Sequence, residues 1–313
     1  MLGLLLDLVI ITSLVALAVQ AIRGPSLFRG ILHFVVMGLT LALAWARLGA
    51  PDLAMAEAAI GAGVTGALMM VAYRRLVETP PKNKVTGPSP RSRLALPIAI
   101  AAGLLVGVIG LAATLSETEP GEAGMSVIET LEPIGLGNPI TGVLLLFRGL
   151  DTLLEVAVLL TAFLAARAVT RTKELDRSAS TEDPNTPMIG ALLAIVVPLT
   201  LLVGIHLLKA GSHEPGGAFQ AGAVLAACGV LLVLTERVSP CGKPRVLINL
   251  GLVAGLVSFS LIGLGAMLAG QPPMAISGMW AVYLIETAMM LSIGLTLVLL
   301  FAGAESLKRS AHG

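Results

Sequence analysis

Hydrophobic residues along the chain are gathered into nine long runs, which short polar stretches separate. A helix that crosses a bilayer needs about 20 consecutive, mainly apolar residues. We therefore predict an all-α, polytopic membrane protein with about nine transmembrane helices, at residues 2–22, 27–47, 52–76, 94–115, 140–166, 188–209, 215–235, 246–268 and 274–303. The first run carries neither a basic leading segment nor a small-residue cleavage site, so we interpret it as a retained helix.

Composition agrees with a membrane location and limits the kinds of binding site that the chain can form. The 313 residues are 56% hydrophobic and only 12% charged, a balance that fits lipid rather than water. No basic stripe with interleaved aromatic residues is present, which argues against a nucleic-acid partner. The two cysteines, Cys228 and Cys241, form no CxxC pair. This argues against an iron–sulfur, haem or zinc site made by this chain alone, and we expect no cofactor.

Basic residues predict the orientation of the chain. All Lys and Arg residues except Arg47, Arg148 and Lys209 fall in alternate connections between the runs or in the C-terminal tail. Because cytoplasmic loops are enriched in these residues, the pattern places the N-terminus outside and the C-terminus in the cytoplasm. We expect a multi-pass protein of the inner (plasma) membrane.

Two polar stretches divide the runs into three blocks. Residues 79–90 are rich in proline, and residues 171–187 are mostly polar. Such stretches are typical of loops or linkers. We predict a three-helix block at 1–78, a two-helix block at 94–169 and a four-helix block at 187–313.

The fifth run contains the charged sequence FRGLDTLLE. In one continuous helix, Arg148, Asp151 and Glu155 share a face, and Arg148 pairs with Asp151. Glu155 then has no basic partner in its own helix, although it lies near the middle of the membrane. A charge at that depth is costly and marks a functional site by default. The alternative is a cluster of ion pairs that only holds helices together.

The third run carries a second pair of acids. Pro51 and Asp52 stand where a helix begins, and an acid in the first turn is favourable there, so Asp52 is interpreted mainly as a helix-start residue. Glu57 lies more than one turn further in and is flanked by small residues that permit close helix packing. The start of a helix does not explain Glu57, which we predict to lie on a proton path.

A third constellation surrounds the connection between the sixth and seventh runs. His206 and Lys209 share a helix face just before a tight turn, and His213 follows in that turn. Pro215 is expected near the first position of the next helix, with Gly216 and Gly217 beginning a small-residue face. These residues form either a polar mouth for an ion path or only a tight outside hairpin.

Two isolated ionisable residues complete the set. His33 lies in the second run, where it is either a satisfied buried histidine or a member of a proton path. Glu286 lies in the last run without a basic partner in the sequence around it. Single ionisable groups spread over neighbouring membrane helices are typical of proton relays. They do not form a catalytic triad or a single ligand pocket.

At these residues the sequence resembles a known family. The first block resembles, in APDLAMAEAAIGAGVTGALMMVAYRR (50–75), a small subunit of membrane-bound hydrogenases that is related to the C-terminal region of the large A subunit of Mrp-type multisubunit cation/proton antiporters. The second resembles the adjoining hydrogenase subunit and the same A-subunit region in NPITGVLLLFRGLDTLLEVAVLLTAFLAAR (138–167). The third is similar to the Mrp B subunit in HLLKAGSHEPGGAFQAGAVLAA (206–227). The resemblance covers nearly the whole chain, as a fusion of units that are often separate.

The resemblance implies an accessory membrane subunit of an ion-translocating complex. Its partners would be large antiporter-like subunits and small Mrp-type subunits. By motif position, the resemblance assigns functional importance to Glu57, Arg148, Asp151, Glu155, His213, Pro215 and Gly216. It leaves the ion open between proton and sodium. Two alternatives remain: a bridging subunit without its own ion path, and the membrane arm of a redox-driven complex such as a hydrogenase.

Overall fold

A computed structural model describes most of the chain. Every regular element in the described residues is a helix, which confirms the prediction of an all-α polytopic membrane protein. The described residues are 2–78, 95–115, 122–170, 187–235, 237, 245–272, 274–276 and 278–302.

The first block contains two helices and a third, composite span. Helices α1 (Leu2–Arg23) and α2 (Leu27–Arg47) pack against each other, and the Ser26 side chain caps α2 by accepting a hydrogen bond from the backbone N–H of Arg29 at 3.4 Å. The third span is continuous but changes its pitch. It consists of α3 (Pro51–Ala56), a π-helix (Glu57–Val64) and α4 (Thr65–Glu78).

The second block contains a break inside its second predicted span. It contains α5 (Ala95–Leu115), α6 (Glu122–Leu131), a short 3₁₀ turn (Glu132–Ile134), α7 (Pro139–Gly142), a second π-helix (Val143–Phe147) and α8 (Gly149–Thr170). The prediction of one uninterrupted helix over 140–166 is wrong, because the chain breaks at Arg148 (φ −122°, ψ 32°). The hydroxyl of Thr152 stabilises the break by donating to the carbonyl of Leu144 at 2.7 Å, a bond that skips the usual helical spacing.

The third block packs around the last helix. It contains α9 (Pro187–Ala210), α10 (Ala218–Leu234), α11 (Arg245–Leu268) and α12 (Met279–Ala302). Helix α12 lies between α10 and α11, and its side chains of Val282 and Ile285 are fully buried. The expectation that Pro215 lies near the first position of a helix is wrong, because α10 begins at Ala218 after Gly217, whose φ of +119° suits glycine.

Within the described residues, seven helices are long and apolar enough to cross a membrane. The other two predicted spans correspond to shorter apolar segments, Pro97–Ala112 within α5 and Ala218–Leu234, which is α10. Arg47 pairs with Asp7 at 2.9 Å, so the N-terminal part of α1 and the C-terminal end of α2 lie at the same end of the block, as the predicted alternation requires. The count of nine and the orientation stay predictions.

Candidate functional site

The turn between α9 and α10, residues 211–217 (the 211–217 turn), joins the first and third blocks. The backbone N–H of Gly216 donates to Oδ1 of Asp52 at 2.9 Å. The side-chain amide of Gln220 donates to the backbone carbonyl of Asp52 at 3.3 Å. Asp52 does follow Pro51 in the first turn of α3, as predicted. The residue, however, is only 9% exposed, and its carboxylate accepts a hydrogen bond from a residue 164 positions away. The interpretation of Asp52 as mainly a helix-start residue therefore missed a tertiary contact.

The second block binds the same turn from another side. The backbone N–H groups of Gly137 and Asn138 both donate to the carbonyl of Ser212, at 2.9 and 3.0 Å. The Asn138 side chain donates to the carbonyl of Glu214 at 2.9 Å. The Thr141 hydroxyl donates to the carbonyl of Gly211 at 2.6 Å. All three blocks therefore meet at the 211–217 turn.

The sequence did not point to Asn138 or Thr141. Asn138 precedes a proline and its side chain caps α7 by accepting from the N–H of Ile140 at 2.9 Å, which is an ordinary helix start. Nothing in its local pattern distinguishes a cap that also binds a distant carbonyl. The sequence signal for these two residues is that both are polar and stand just before an apolar run, in the segment NPIT.

Glu286 lies beneath this turn. The residue is 4% exposed, and its Oε2 atom has no hydrogen-bond partner among the described residues. A Cβ added at Gly217 would lie 3.4 Å from Oε1 of Glu286, so the carboxylate is close to the turn. The hydroxyl of Ser212, in the turn itself, is also buried without a partner in the described part. Buried polar atoms without partners are rare in folded proteins and often mark function.

Arg148, Asp151 and Glu155 stand on the outward surface of the second block. Arg148 Nε donates to Asp151 Oδ2 at 2.6 Å, which confirms the predicted pairing of these two residues although Arg148 precedes the helix. Glu155 is exposed and forms no hydrogen bond or ion pair within the described residues. All three border a cleft of about 540 Å³. Its other wall includes Ile60, Phe219 and Ile293 from three different elements.

Glu57 is the first residue of the π-helix in the third span. Its carboxylate lies over Gly61, where a Cβ would collide with Oε1 of Glu57. Glycine at position 61 therefore leaves room for the carboxylate. Segments of π-helix are rare and frequent at functional sites, since they rotate side chains out of the regular register.

Of the remaining predicted site residues, His213 and Pro215 belong to the 211–217 turn, whereas His33, His206 and Lys209 form no hydrogen bond or ion pair with these groups in the described part of the chain. His33 has a buried Nδ1 without a hydrogen-bond partner in the described part. His206, Lys209 and His213 are exposed, and none of them pairs with a carboxylate that the structure describes. Pro215 is an exposed member of the 211–217 turn. No group of three or more His, Cys, Asp or Glu side chains suited to a metal occurs in the described residues.

Comparison with known proteins gives two family matches. Residues 12–78 match the MbhD family, described as the D subunit of MBH. Residues 188–307 match the MnhB family, described as a domain related to the MnhB subunit of the Na+/H+ antiporter.

Individual proteins give the same picture. The A subunit of the Na(+)/H(+) antiporter of Bacillus subtilis (strain 168) is 28% identical over 177 residues, which are 56% of this chain and 22% of that protein. The chain thus spans about a fifth of the length of this curated relative. One chain of a solved Mrp complex from Dietzia sp. DQ12-45-1b has the same fold, with a TM-score of 0.71 and 20% sequence identity. The match covers 93% of this chain and 34% of that chain. These matches confirm the resemblance seen in the motifs: a region similar to MbhD precedes a region similar to the MnhB-related domain, and the chain is similar to the A subunit of an Na(+)/H(+) antiporter and has the fold of a chain from an Mrp complex.

Proposed function

We propose that the chain is a membrane subunit of an Mrp-type ion-translocating complex of the inner membrane and contributes part of a proton or sodium path through its intramembrane carboxylates. Its partners are large antiporter-like subunits and small Mrp-type subunits. The proposal is supported by the two family matches and by the antiporter protein that is similar to this chain.

One observation carries the ion path. Glu57, Glu155 and Glu286 stand in three different membrane helices, and none forms an ion pair with a residue that the structure describes. A charged side chain at the centre of a membrane helix costs roughly 2.5–3.5 kcal/mol on insertion scales. A carboxylate that only held helices together would be expected to have a cationic or hydrogen-bonding partner. Three such groups without such a partner among the described residues fit side chains that exchange a proton or bind a passing cation.

The arrangement of the three carboxylates fits a shared route. Glu57 and Glu286 are the seventh and eighth residues of their helical spans, so each lies about 9–11 Å along the helix from the end that we predict to be outside. Ile60, one turn beyond Glu57, borders the same cleft as Glu155. Arg148 and Asp151 lie at the rim of that cleft, while His33, His206 and Lys209 stay predictions as further members of the path.

The proposal is tested by transport in vesicles that contain the purified complex. Glu57→Gln and Glu155→Gln should leave assembly intact and abolish cation-driven proton movement, measured by recovery of quenched dye fluorescence with Na+, K+ or Li+ in turn. Glu155→Asp should retain part of the activity, because it keeps the carboxyl group. Glu214→Gln is the matched control, since Glu214 is an exposed carboxylate in the 211–217 turn. Normal transport by both assembled Gln variants would instead support a bridging subunit without its own path.

A second function is favoured by the match of residues 12–78 to the MbhD family, whose description names a component of MBH. On this interpretation the chain is a membrane-arm subunit and a partner supplies the redox chemistry. Purification of the intact complex separates the two functions: a redox-driven complex contains iron or another electron carrier in stoichiometric amount, and an antiporter does not.

A further inference from the structure

Two buried polar side chains stand near the 211–217 turn without partners in the described part of the chain. Ser212 is fully buried, and its hydroxyl forms no hydrogen bond with a described residue. Glu286 is 4% exposed, and the same is true of its Oε2 atom. Because the great majority of buried polar side-chain atoms are hydrogen-bonded, such atoms need an explanation, and a bound ion or water is one.

Gly217 leaves a position beside Glu286 that is bordered by oxygen atoms. A Cβ atom at Gly217 would lie 3.4 Å from Oε1 of Glu286 and 3.5 Å from Oε1 of Gln220. Apart from Gly217 and its chain neighbours, no other described atom lies within 4 Å of that position. A small ligand placed close to it would therefore contact oxygen from both side chains.

Gln220 presents an oxygen rather than an N–H group to this position. Its side-chain amide nitrogen is held elsewhere, by the backbone carbonyl of Asp52, to which it donates at 3.3 Å. An amide oxygen and an ionised carboxylate both accept hydrogen bonds and donate none. Two such groups around one position repel each other unless a cation or a hydrogen-bond donor lies between them.

The backbone of the turn holds these atoms in place. The carbonyl of Leu207 accepts hydrogen bonds from the N–H groups of Gly211 and Gly217, at 3.1 and 2.9 Å. A Cβ atom at Gly211 would overlap the Cα atom of Gly217, so the two ends of the turn lie against each other. Ser212 follows Gly211 directly, and its hydroxyl is a third buried oxygen in this small region. A site built on such a fixed turn needs little rearrangement to bind a ligand.

The charge near this position favours a cation over a water molecule. A buried carboxylate is normally paired or coordinates a metal, and Glu286 forms no ion pair with a described residue. Asp52, the other carboxylate at the turn, already accepts the hydrogen bond from Gly216. A water molecule would satisfy the acceptors near Gly217 but leave the charge of Glu286 uncompensated, whereas a cation does both.

The set of ligands favours a cation with a single charge. Carboxylate, amide and hydroxyl oxygens are hard ligands, which bind hard metal cations. Ca2+ takes roughly six to eight such oxygens, and Mg2+ keeps several of its waters. Here the described groups are one carboxylate and two neutral side chains, so one positive charge balances Glu286.

We propose that Glu286, Gln220 and Ser212 form a buried binding site for one monovalent metal cation beneath the 211–217 turn. This inference rests on the proposed function in one respect, namely that the bound cation is the one that the complex transports. It adds a defined place at which that cation is held, and it gives Gln220 and Ser212 a role as ligands.

Equilibrium binding of radioactive Na+ to the purified complex tests the site. Glu286→Gln removes the charge and should lower the number of Na+ ions bound per complex by one. Glu286→Asp keeps a carboxylate and should retain that ion at lower affinity. Ser212→Ala should raise the dissociation constant of the site roughly tenfold, because it removes one polar contact to a charge.

The controls change the same residue types at other places. Glu214 is an exposed carboxylate of the same turn, and Ser292 is a buried serine of α12 whose hydroxyl already binds a carbonyl. Glu214→Gln and Ser292→Ala should therefore bind as many Na+ ions as the wild type, with unchanged affinity. Unlabelled Li+ should displace the radioactive ion, whereas choline, which is not a metal cation, should not.

Transport by the same preparations separates a ligand from a residue that only supports the fold. Ser212→Ala should raise the Na+ concentration at half-maximal proton movement roughly tenfold and leave the maximal rate unchanged. A purely structural role would instead lower the yield of assembled complex and leave that Na+ concentration unchanged.

Unchanged Na+ binding by both Glu286→Gln and Ser212→Ala would overturn the inference, since a bound water molecule alone would then explain the buried atoms. If Glu286→Gln does not assemble, Ser212→Ala decides alone, because it removes only one oxygen atom.

The site and the ion path fail separately. If Glu286→Gln and Ser212→Ala bind less Na+ but Glu57→Gln and Glu155→Gln transport normally, the site stands and the path is refuted. If Glu57→Gln and Glu155→Gln lose transport while Glu286→Gln binds as many ions as the wild type, the path stands and the site alone is refuted.

Discussion

The carboxylate of Asp52 accepts a hydrogen bond from the backbone N–H of Gly216 at 2.9 Å, and this bond connects the region similar to MbhD with the region similar to the MnhB-related domain. Both residues are buried. Since Asn138 and Thr141 bind carbonyls of the same turn, the three blocks share one hydrogen-bonded junction. The two regions are therefore held together by specific hydrogen bonds between side chains and backbone as well as by their fusion in one chain.

Asp52→Ala should lower the stability of the purified chain by about 1–3 kcal/mol, because it leaves the buried N–H of Gly216 without an acceptor. Asp52→Asn should lose much less, since a carboxamide oxygen can still accept the bond. Thermal unfolding in detergent, followed through the fluorescence of Trp45 and Trp280, measures both variants. Asp7→Ala is the control, because the Asp7–Arg47 pair is exposed and such pairs contribute only about 0–1 kcal/mol. Equal melting of Asp52→Ala and the wild type would show that the contact does not stabilise the junction.

Alanine at two glycines should have effects of opposite sign. A Cβ at Gly216 would overlap the carbonyl oxygen of Leu207 and lie 3.0 Å from the Gly211 nitrogen, so Gly216→Ala must displace the turn at a cost of about 1–3 kcal/mol. A Cβ at Gly103 in α5 meets no atom within 4 Å, and alanine is better in a helix interior by roughly 0.5–1 kcal/mol. The same fluorescence melts compare them. Tolerance of alanine at Gly216 would mean that the turn is less tightly packed than described.

The class of fold followed from the sequence because water-soluble domains rarely contain so many apolar runs of membrane-spanning length. The break at Arg148 did not follow, since the run 140–166 is mainly apolar on either side of its charges. At the break the Thr152 hydroxyl bonds to the Leu144 carbonyl, and a threonine within an apolar run gives no sign of that bond. Similarly, glycines at 216 and 217 suggested helix packing, whereas they form the turn before α10.

The candidate site was predictable only in part. The charged residues themselves were visible, because charges are conspicuous in apolar runs. Which of them meet was not visible. Asp52 binds Gly216 across 164 positions of sequence, and Asn138 uses its side chain both as a local cap and for a distant carbonyl. Such contacts depend on tertiary packing that local patterns do not encode.

The orientation can be tested with single cysteines in a chain whose Cys228 and Cys241 are replaced. His213→Cys lies in the exposed part of the 211–217 turn, which we predict to be outside, and should react with a membrane-impermeant maleimide in intact cells. Ser89→Cys, which lies outside the described residues, falls in the basic connection 74–93 and should react only after the membrane is opened. The reason is the concentration of Lys and Arg in cytoplasmic loops. The reverse labelling pattern would show that the chain has the opposite orientation in the membrane.

The carboxylate of Glu286 should be required for transport, although its burial lowers the stability of the folded chain. Its Oε2 atom is buried without a described partner, and an unsatisfied buried polar group costs about 1–3 kcal/mol. Glu286→Met replaces the carboxylate with an unbranched apolar side chain of similar length, so it should raise the melting temperature and abolish cation-driven proton movement.

Ser292→Ala, six residues further along α12, is the matched control. Ser292 is 1% exposed and donates to the Leu252 carbonyl at 2.6 Å, so its loss should lower stability and leave transport unchanged. Because the two variants are expected to move stability in opposite directions, a transport defect in Glu286→Met cannot be attributed to unfolding. Normal transport by an assembled Glu286→Met complex would remove Glu286 from the ion path, and lower stability in that variant would show that its carboxylate has a structural role.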